Sequence, residues 1–212
     1  MSFSILEKEG VVEGINHLSS LDPKIKHLLN AYDPPKLKVE KNYFWSLCRS
    51  IIYQQISGKA AKTIADRFLA LFSSDINIKP VEVLDMDINE FYGVGLSRQK
   101  AGYIKNIAVA FEKKIIDEKI IIKCNDAEII KMLTQIKGVG IWTAEMFLIF
   151  TLRRPDVFPV TDLGVQKGFQ IFYSLDELPT IDIMKEKSES WRPYRSIMTL
   201  YLWYVVEGPF EW

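Results

Sequence analysis

The chain has little with which to hold a metal or a disulfide. Of its 212 residues, two are cysteine and two are histidine. Cys48 and Cys124 lie far apart and offer no metal-ligand spacing, which fits a cytosolic compartment. Neither His17 nor His27 has a partner at ligand spacing. An excess of charge of one sign is missing as well. Basic and acidic residues number 27 each, for a formal net charge of zero. That argues against a globally basic nucleic-acid binder and leaves room for a local basic face. No apolar run reaches the length of a membrane span; those near 144–152 and 197–206 have the length of core helices. The N-terminus is polar, so no secretory leader is expected. What the chain does have is apolar residues, 48% of the total, enough for a sizeable core in one domain or two tightly joined subdomains.

Those residues recur mostly at helical spacing. The chain is organised around Leu133-Thr-Gln-Ile-Lys-Gly-Val-Gly-Ile-Trp-Thr-Ala144. Ile129, Ile130, Leu133 and Ile136 precede a Gly-Val-Gly turn, and Ala144, Phe147, Leu148 and Ile149 follow it. Gly138 and Gly140 are expected to allow positive φ and a close backbone approach. The second helix starts just past the turn, so its unpaired N–H groups suit a phosphate. The plainer reading is an αα-hairpin with a glycine turn.

Around the hairpin the pattern predicts roughly ten helices and no convincing strand, an all-α class. Asp22-Pro23 opens a helix with an N-cap and a proline at its first position. From Asn42, the residues Phe44, Leu47, Cys48, Ile51, Ile52 and Gln55 fall on one face. Lys59–Phe72 forms the next helix. Residues 73–90, with Asp75, Glu82, Asp85, Asp87 and Glu90, predict a solvated loop and short helix. Tyr92-Gly-Val-Gly is a second glycine turn opening a helix over Arg98–Lys114, with Leu96 at the turn. Lys113–Lys123 reads as a charged turn and extended link. Later helices follow over Gly164–Tyr173, Thr180–Ser190 and Tyr194–Val206.

Four segments in this order resemble the helix-hairpin-helix DNA glycosylase superfamily, and within it the DNA-3-methyladenine glycosylase II family. They are Ile51-Ile-Tyr-Gln-Gln-Ile-Ser57, Gly95-Leu-Ser-Arg-Gln-Lys-Ala101, the hairpin with its Phe158-Pro-Val-x-Asp162 loop, and Trp191-Arg-Pro-Tyr-Arg-Ser196 leading to Trp203. The match covers most of residues 43–206. It implies two helical subdomains with a cleft between them, approximately 43–150 and 1–42 plus 151–212. Together they would make one catalytic unit over 1–212 without an N-terminal β-domain. A monomer bound to double-stranded DNA with damaged bases is expected, with no membrane partner, in the nucleoid or the nucleus.

The resemblance also assigns chemistry. Glycosylases flip the target base out of the stack and break its bond to deoxyribose. The sugar then gains oxocarbenium character that a carboxylate stabilises. Asp162 matches the family's catalytic aspartate; its plainer role is to cap the helix that follows. Strand-nicking relatives carry a lysine where this chain has Trp142, which implies a monofunctional enzyme using water. Iron–sulfur relatives need four cysteines, so no cluster is expected. Trp142, Met146 and Trp203 match pocket positions, where indole faces suit a cationic alkylated purine. Gln54, Gln55, Ser57, Leu96 as the wedge, Arg98, Lys100, Lys137, Gly138, Gly140 and Thr143 match DNA-contacting positions. No cofactor is implied beyond a structural Na+ or K+ on the carbonyls of Thr134, Ile136 and Val139. Arg195 reaches DNA or ties the last helix down. Competing readings are a non-catalytic DNA-binding hairpin module and a glycosylase for oxidised purines.

Overall fold

A computed structural model of the chain describes residues 6–37, 39–72 and 77–209. The expected loop over 73–76, with Asp75, lies outside them. In chain order the α-helices are α1 (Lys8–Leu21), α2 (Pro23–Asn30), α3 (Tyr43–Tyr53), α4 (Gly58–Leu69), α5 (Pro80–Asp85), α6 (Ile88–Gly93) and α7 (Arg98–Glu112). There follow α8 (Glu118–Ile121), α9 (Asp126–Leu133), α10 (Ile141–Met146), α11 (Leu163–Tyr173), α12 (Ile181–Ser188) and α13 (Arg195–Glu207). A π-helical turn over Phe147–Thr151 continues α10. No strand occurs among the described residues. The chain divides into two compact units, one of Glu40–Phe147 and one of Ser2–Val39 with Leu148–Trp212.

The first unit is built on α3. Asn42 starts it by accepting the Trp45 N–H at 2.9 Å. Its apolar face follows the expected period: Phe44, Leu47, Cys48, Ile51 and Ile52 are buried. Gln55 does not share that face. It lies past the helix end, exposed, at φ 56°. Helices α4 and α7 cover α3. Trp45 stacks on Phe68 with ring centroids 6.0 Å apart, and Phe44 meets Phe111 edge-on at 5.5 Å. Two stretches differ from expectation. Residues 80–93 hold two short helices, α5 and α6, each started by a glutamate that reaches back to a backbone N–H: Glu82 to Lys79 and Glu90 to Asp87. The Ile120–Ile122 region is not an extended link, because Asp117 caps a single turn of helix, α8, by accepting the Lys119 N–H at 2.8 Å.

In the second unit α11 and α13 lie against each other. A side chain at Gly168 would come within 2.1 Å of the Leu202 carbonyl oxygen, so only glycine permits that approach. Trp191 is fully buried and meets Phe158 at 5.3 Å and Phe169 at 5.9 Å. Asp22 caps α2 as expected, accepting the Lys24 N–H at 2.7 Å.

Candidate active site

In the first unit, the hairpin turn between α9 and α10 is held from two sides. Gly138 has φ 105°, and its Cα faces the Tyr103 ring of α7 so closely that an added Cβ would fall 2.1 Å from Cγ. Asn106, one turn further along α7, donates to the Lys137 carbonyl at 3.0 Å. From α3, the Gln54 amide donates to the Gly138 carbonyl at 3.1 Å and to the Thr143 hydroxyl at 2.9 Å. Gly140 behaves otherwise than expected: its φ is −91°, ordinary for any residue, and an added Cβ would meet nothing within 4 Å. It is the N-cap of α10, open to an approaching ligand rather than to another part of the protein. Lys137 and Ile141 beside it are exposed.

This arrangement reassigns several DNA-contacting candidates. Gln54 spends its amide N–H groups on the hairpin, so it braces the turn instead of reading bases. Thr143, 1% exposed, is buried beneath the turn and offers no hydroxyl to solvent. Lys100 is half-buried, and its ammonium donates to the carbonyls of Ile52 at 2.7 Å and Gln54 at 2.8 Å. It satisfies the open end of α3, and burial lowers its pKa from the ordinary lysine value. Leu96 is 4% exposed, so the turn carries it into the core and it is no wedge. The exposed side chains beside it are Ser97, Arg98 and Gln99. Gln55 and Ser57 are also exposed, and Ser57 caps α4 by accepting the Ala60 N–H at 3.4 Å. Trp142 is half-buried. Met146, at 1% exposure, presents no surface to a ligand and belongs to the core.

In the second unit the carboxylate sits at the head of α11. Asp162 Oδ1 accepts the Val165 N–H at 2.7 Å, so it does cap the helix. The same oxygen accepts the Trp203 indole N–H at 2.9 Å. The loop leading to Asp162 is fastened along α13. Ser196 donates to the Arg154 carbonyl at 2.6 Å and accepts from the Val157 N–H at 2.9 Å. Thr199 donates to the Val157 carbonyl at 3.2 Å. Gln166 of α11 donates to the Val160 carbonyl at 2.9 Å. Arg195 is a tie: its guanidinium grips Asp156 through Oδ1 at 2.6 Å, Oδ2 at 3.1 Å and the carbonyl at 3.0 Å. Trp203 is 7% exposed, one indole face lying on Phe150 at 5.7 Å. The residues that sequence reasoning missed are Ser196, Thr199, Gln166 and Gly164. The i, i+3, i+7 spacing of Ser196, Thr199 and Trp203, as one face of a helix, could have signalled the first two; nothing local signalled Gln166 or Gly164.

No group of three or more histidine, cysteine or acidic side chains that could hold a metal occurs among the described residues. No helix among them is long and apolar enough to cross a membrane.

Comparison with known proteins gives these arrangements a context. Residues 48–193 match the family model described as HhH-GPD superfamily base excision DNA repair protein. The chain is 35% identical over 211 residues to the DNA-3-methyladenine glycosylase 1 of Schizosaccharomyces pombe, covering 96% of this chain and 92% of that protein. It is 30% identical over 193 residues to an alkylbase DNA glycosidase-like protein of the same yeast, covering 89% and 91%. Among solved structures, that of the S. pombe 3-methyladenine DNA glycosylase in complex with abasic DNA superposes with a TM-score of 0.86 at 33% identity, covering 94% of this chain and all of that one.

Proposed function

The chain belongs to the HhH-GPD superfamily of base excision DNA repair proteins, and we propose that it is a DNA glycosylase that removes alkylated purines of the 3-methyladenine type by hydrolysis. The observation that carries this reading is Asp162, a carboxylate fixed at the head of α11 by two N–H donors. The names of its relatives support the substrate class, and the abasic DNA bound to one of them supports DNA as the partner. The protein then acts wherever DNA is kept, in a nucleoid or a nucleus.

The chemistry asks little of the enzyme beyond placement and charge. A purine alkylated at N3 or N7 is cationic, so it leaves as a neutral base when the C1′–N bond breaks and the electron pair goes with it. The positive charge then resides on the sugar, where a carboxylate lowers its energy. Water adds to C1′ and releases a proton. Trp142 offers an indole face to the flipped, electron-poor base, an interaction of roughly 0.5–2 kcal/mol. With tryptophan where strand-nicking relatives carry lysine, no Schiff base forms there. The hairpin N–H groups of Gly138 and Gly140 take a DNA phosphate, with Lys137 alongside. The donor set of Thr134, Ile136 and Val139 also fits a monovalent cation. All three ligands are carbonyl oxygens, and that of Ile136 keeps a second lone pair beyond the Val139 N–H it accepts at 2.9 Å. Bound Na+ or K+ would brace the turn and take no part in the reaction.

The test is base release from a panel of single-lesion duplexes, wild type against Asp162→Asn. The expected result is excision of alkylated purines by the wild type, loss of excision in the variant, and unchanged DNA affinity. Wild-type rates in Asp162→Asn would refute the assignment, and a borohydride-trapped enzyme–DNA adduct would refute the hydrolytic mechanism.

A further inference from the structure

We propose that Trp203 is a positioning residue for Asp162: its indole N–H sets the direction of the carboxylate, and Gly164 exists to leave room for that bond. This rests on reading Asp162 as the group that acts on the sugar. The sequence suggests a different use for Trp203, as a stacking face for the substrate base. Its geometry favours the positioning role. The side chain is 7% exposed and one face is covered by Phe150 at an interplanar angle of 17°. What it presents is its edge. Nε1 lies 2.9 Å from Asp162 Oδ1, and the Val165 N–H meets the same oxygen at 2.7 Å. Two donors on one oxygen stop rotation about Cβ–Cγ, and so fix where the other oxygen points. A helix cap alone needs only the backbone donor.

Gly164 is the second, independent observation. A Cβ there would stand 2.9 Å from Trp203 Cδ1 and 3.1 Å from both Trp203 Nε1 and Asp162 Oδ1. Both atoms of the hydrogen bond are thus within reach of that one missing methyl group. Gly164 has no positive φ, so space rather than backbone conformation requires glycine. A buried indole N–H could be satisfied by any carbonyl. Here it is brought to the carboxylate by α13, the helix that also fastens the preceding loop through Ser196 and Thr199.

Three measurements test this. The first needs no activity. The protein has five tryptophans, and the indole N–H resonance missing from the 15N spectrum of Trp203→Phe identifies Trp203. That resonance is expected to be the indole signal that moves most in Asp162→Asn. The second is single-turnover excision at saturating enzyme, per folded molecule. Trp203→Phe and Gly164→Ala should each lower it about 10- to 100-fold, since displacing a reacting group by about 1 Å costs on the order of 100-fold. The third is affinity for an abasic-site duplex, which should stay within about twofold. An unmoved Trp203 resonance in Asp162→Asn overturns the proposal, as does wild-type excision in both variants. A loss of affinity equal to the loss of rate also overturns it, since it would make Trp203 a DNA contact rather than a residue that directs the carboxylate. A wild type that excises nothing while the resonance still moves would sink the enzymatic reading and leave the bond standing.

Discussion

Replacing Gly138 by alanine should do more damage than any other single methyl group in the hairpin. The residue has φ 105°, where an L side chain is strained, and that alone costs about 1–2 kcal/mol. The new Cβ would lie 2.1, 2.4 and 2.6 Å from Tyr103 Cγ, Cδ1 and Cβ. The last of these is anchored to the α7 backbone, so swinging the ring aside does not relieve the overlap. Forcing such a contact costs about 1–3 kcal/mol more. The expected loss is therefore about 2–5 kcal/mol, read as a drop in the urea midpoint at constant slope. Gly140→Ala is the control, two residues away in the same turn. Its φ is ordinary and its Cβ would meet nothing, so stability should stay within about 0.5 kcal/mol. DNA affinity should separate the pair the other way. Measured on folded protein, Gly140→Ala should weaken binding to an abasic duplex, because the methyl group occupies the space a phosphate needs. A Gly138→Ala protein as stable as wild type would refute the packing of the turn on Tyr103. Unchanged affinity in Gly140→Ala would refute the phosphate reading.

Leu96→Ala should cost about 2–5 kcal/mol of stability and leave excision per folded molecule intact, on paired and mismatched lesions alike; a large excision defect in a protein that melts normally would restore the wedge. Tyr201 is fully buried, and its hydroxyl has no partner among the described residues. Tyr201→Phe should therefore be at least as stable as wild type at pH 7, and a clear fall in its melting temperature would reveal a hidden partner. Burial pushes the Tyr201 phenol up from 10.0 to about 12. Its neutral form thus stabilises the fold fully below pH 10, and that contribution is lost as pH rises through 12. Over this window the wild type should lose roughly 2–3 kcal/mol relative to Tyr201→Phe, measured by denaturant titration, and parallel curves would contradict the shift. With Lys100 committed to α3, the phosphate contacts are few. The slope of log K against log salt should be about −2 to −4, and one near −8 would demand a far larger basic footprint.

Local rules carried the sequence reading a long way. The face of α3 follows from the 3.6-residue period, the start of α2 from Asp22 before proline, and the N-cap role of Asp162 from its place before an apolar helix. Apart from the locally capped turn at Ile120–Ile122, the misreadings share a cause: they concern where a side chain goes once a second element arrives. Lys100 lies at a helix start beside exposed residues, and its four-carbon stem lets it turn inward to carbonyls 48 and 46 residues earlier. Leu96 stands in a turn, and turns are ordinarily solvated, but this one folds onto the core. Ile120–Ile122 has strand-forming composition, and one aspartate cap was enough to make a helical turn there. Gly164 was invisible because its reason lies 39 residues downstream, in Trp203.

Helix α13 explains why so much of the candidate site is non-local. Ser196, Thr199 and Trp203 occupy one face over seven residues, about 10 Å of a rigid rod. The segment from Arg154 to Asp162 runs beside that face and is fastened to it at Arg154, Val157 and Asp162. A loop of this kind would otherwise have many conformations, and a carboxylate at its end would share them. Fixing it by its own sequence would require a run of proline and turn residues that the segment does not have beyond Pro155 and Pro159. The chain instead uses a helix formed by its last residues as a template, and Arg195 locks the template to Asp156 where the loop begins. Asp162 can therefore be no better placed than α13 is docked. On this account the aromatic and aliphatic burial along α13, from Ile197 to Tyr204, belongs to the active site's geometry as much as to the stability of the fold.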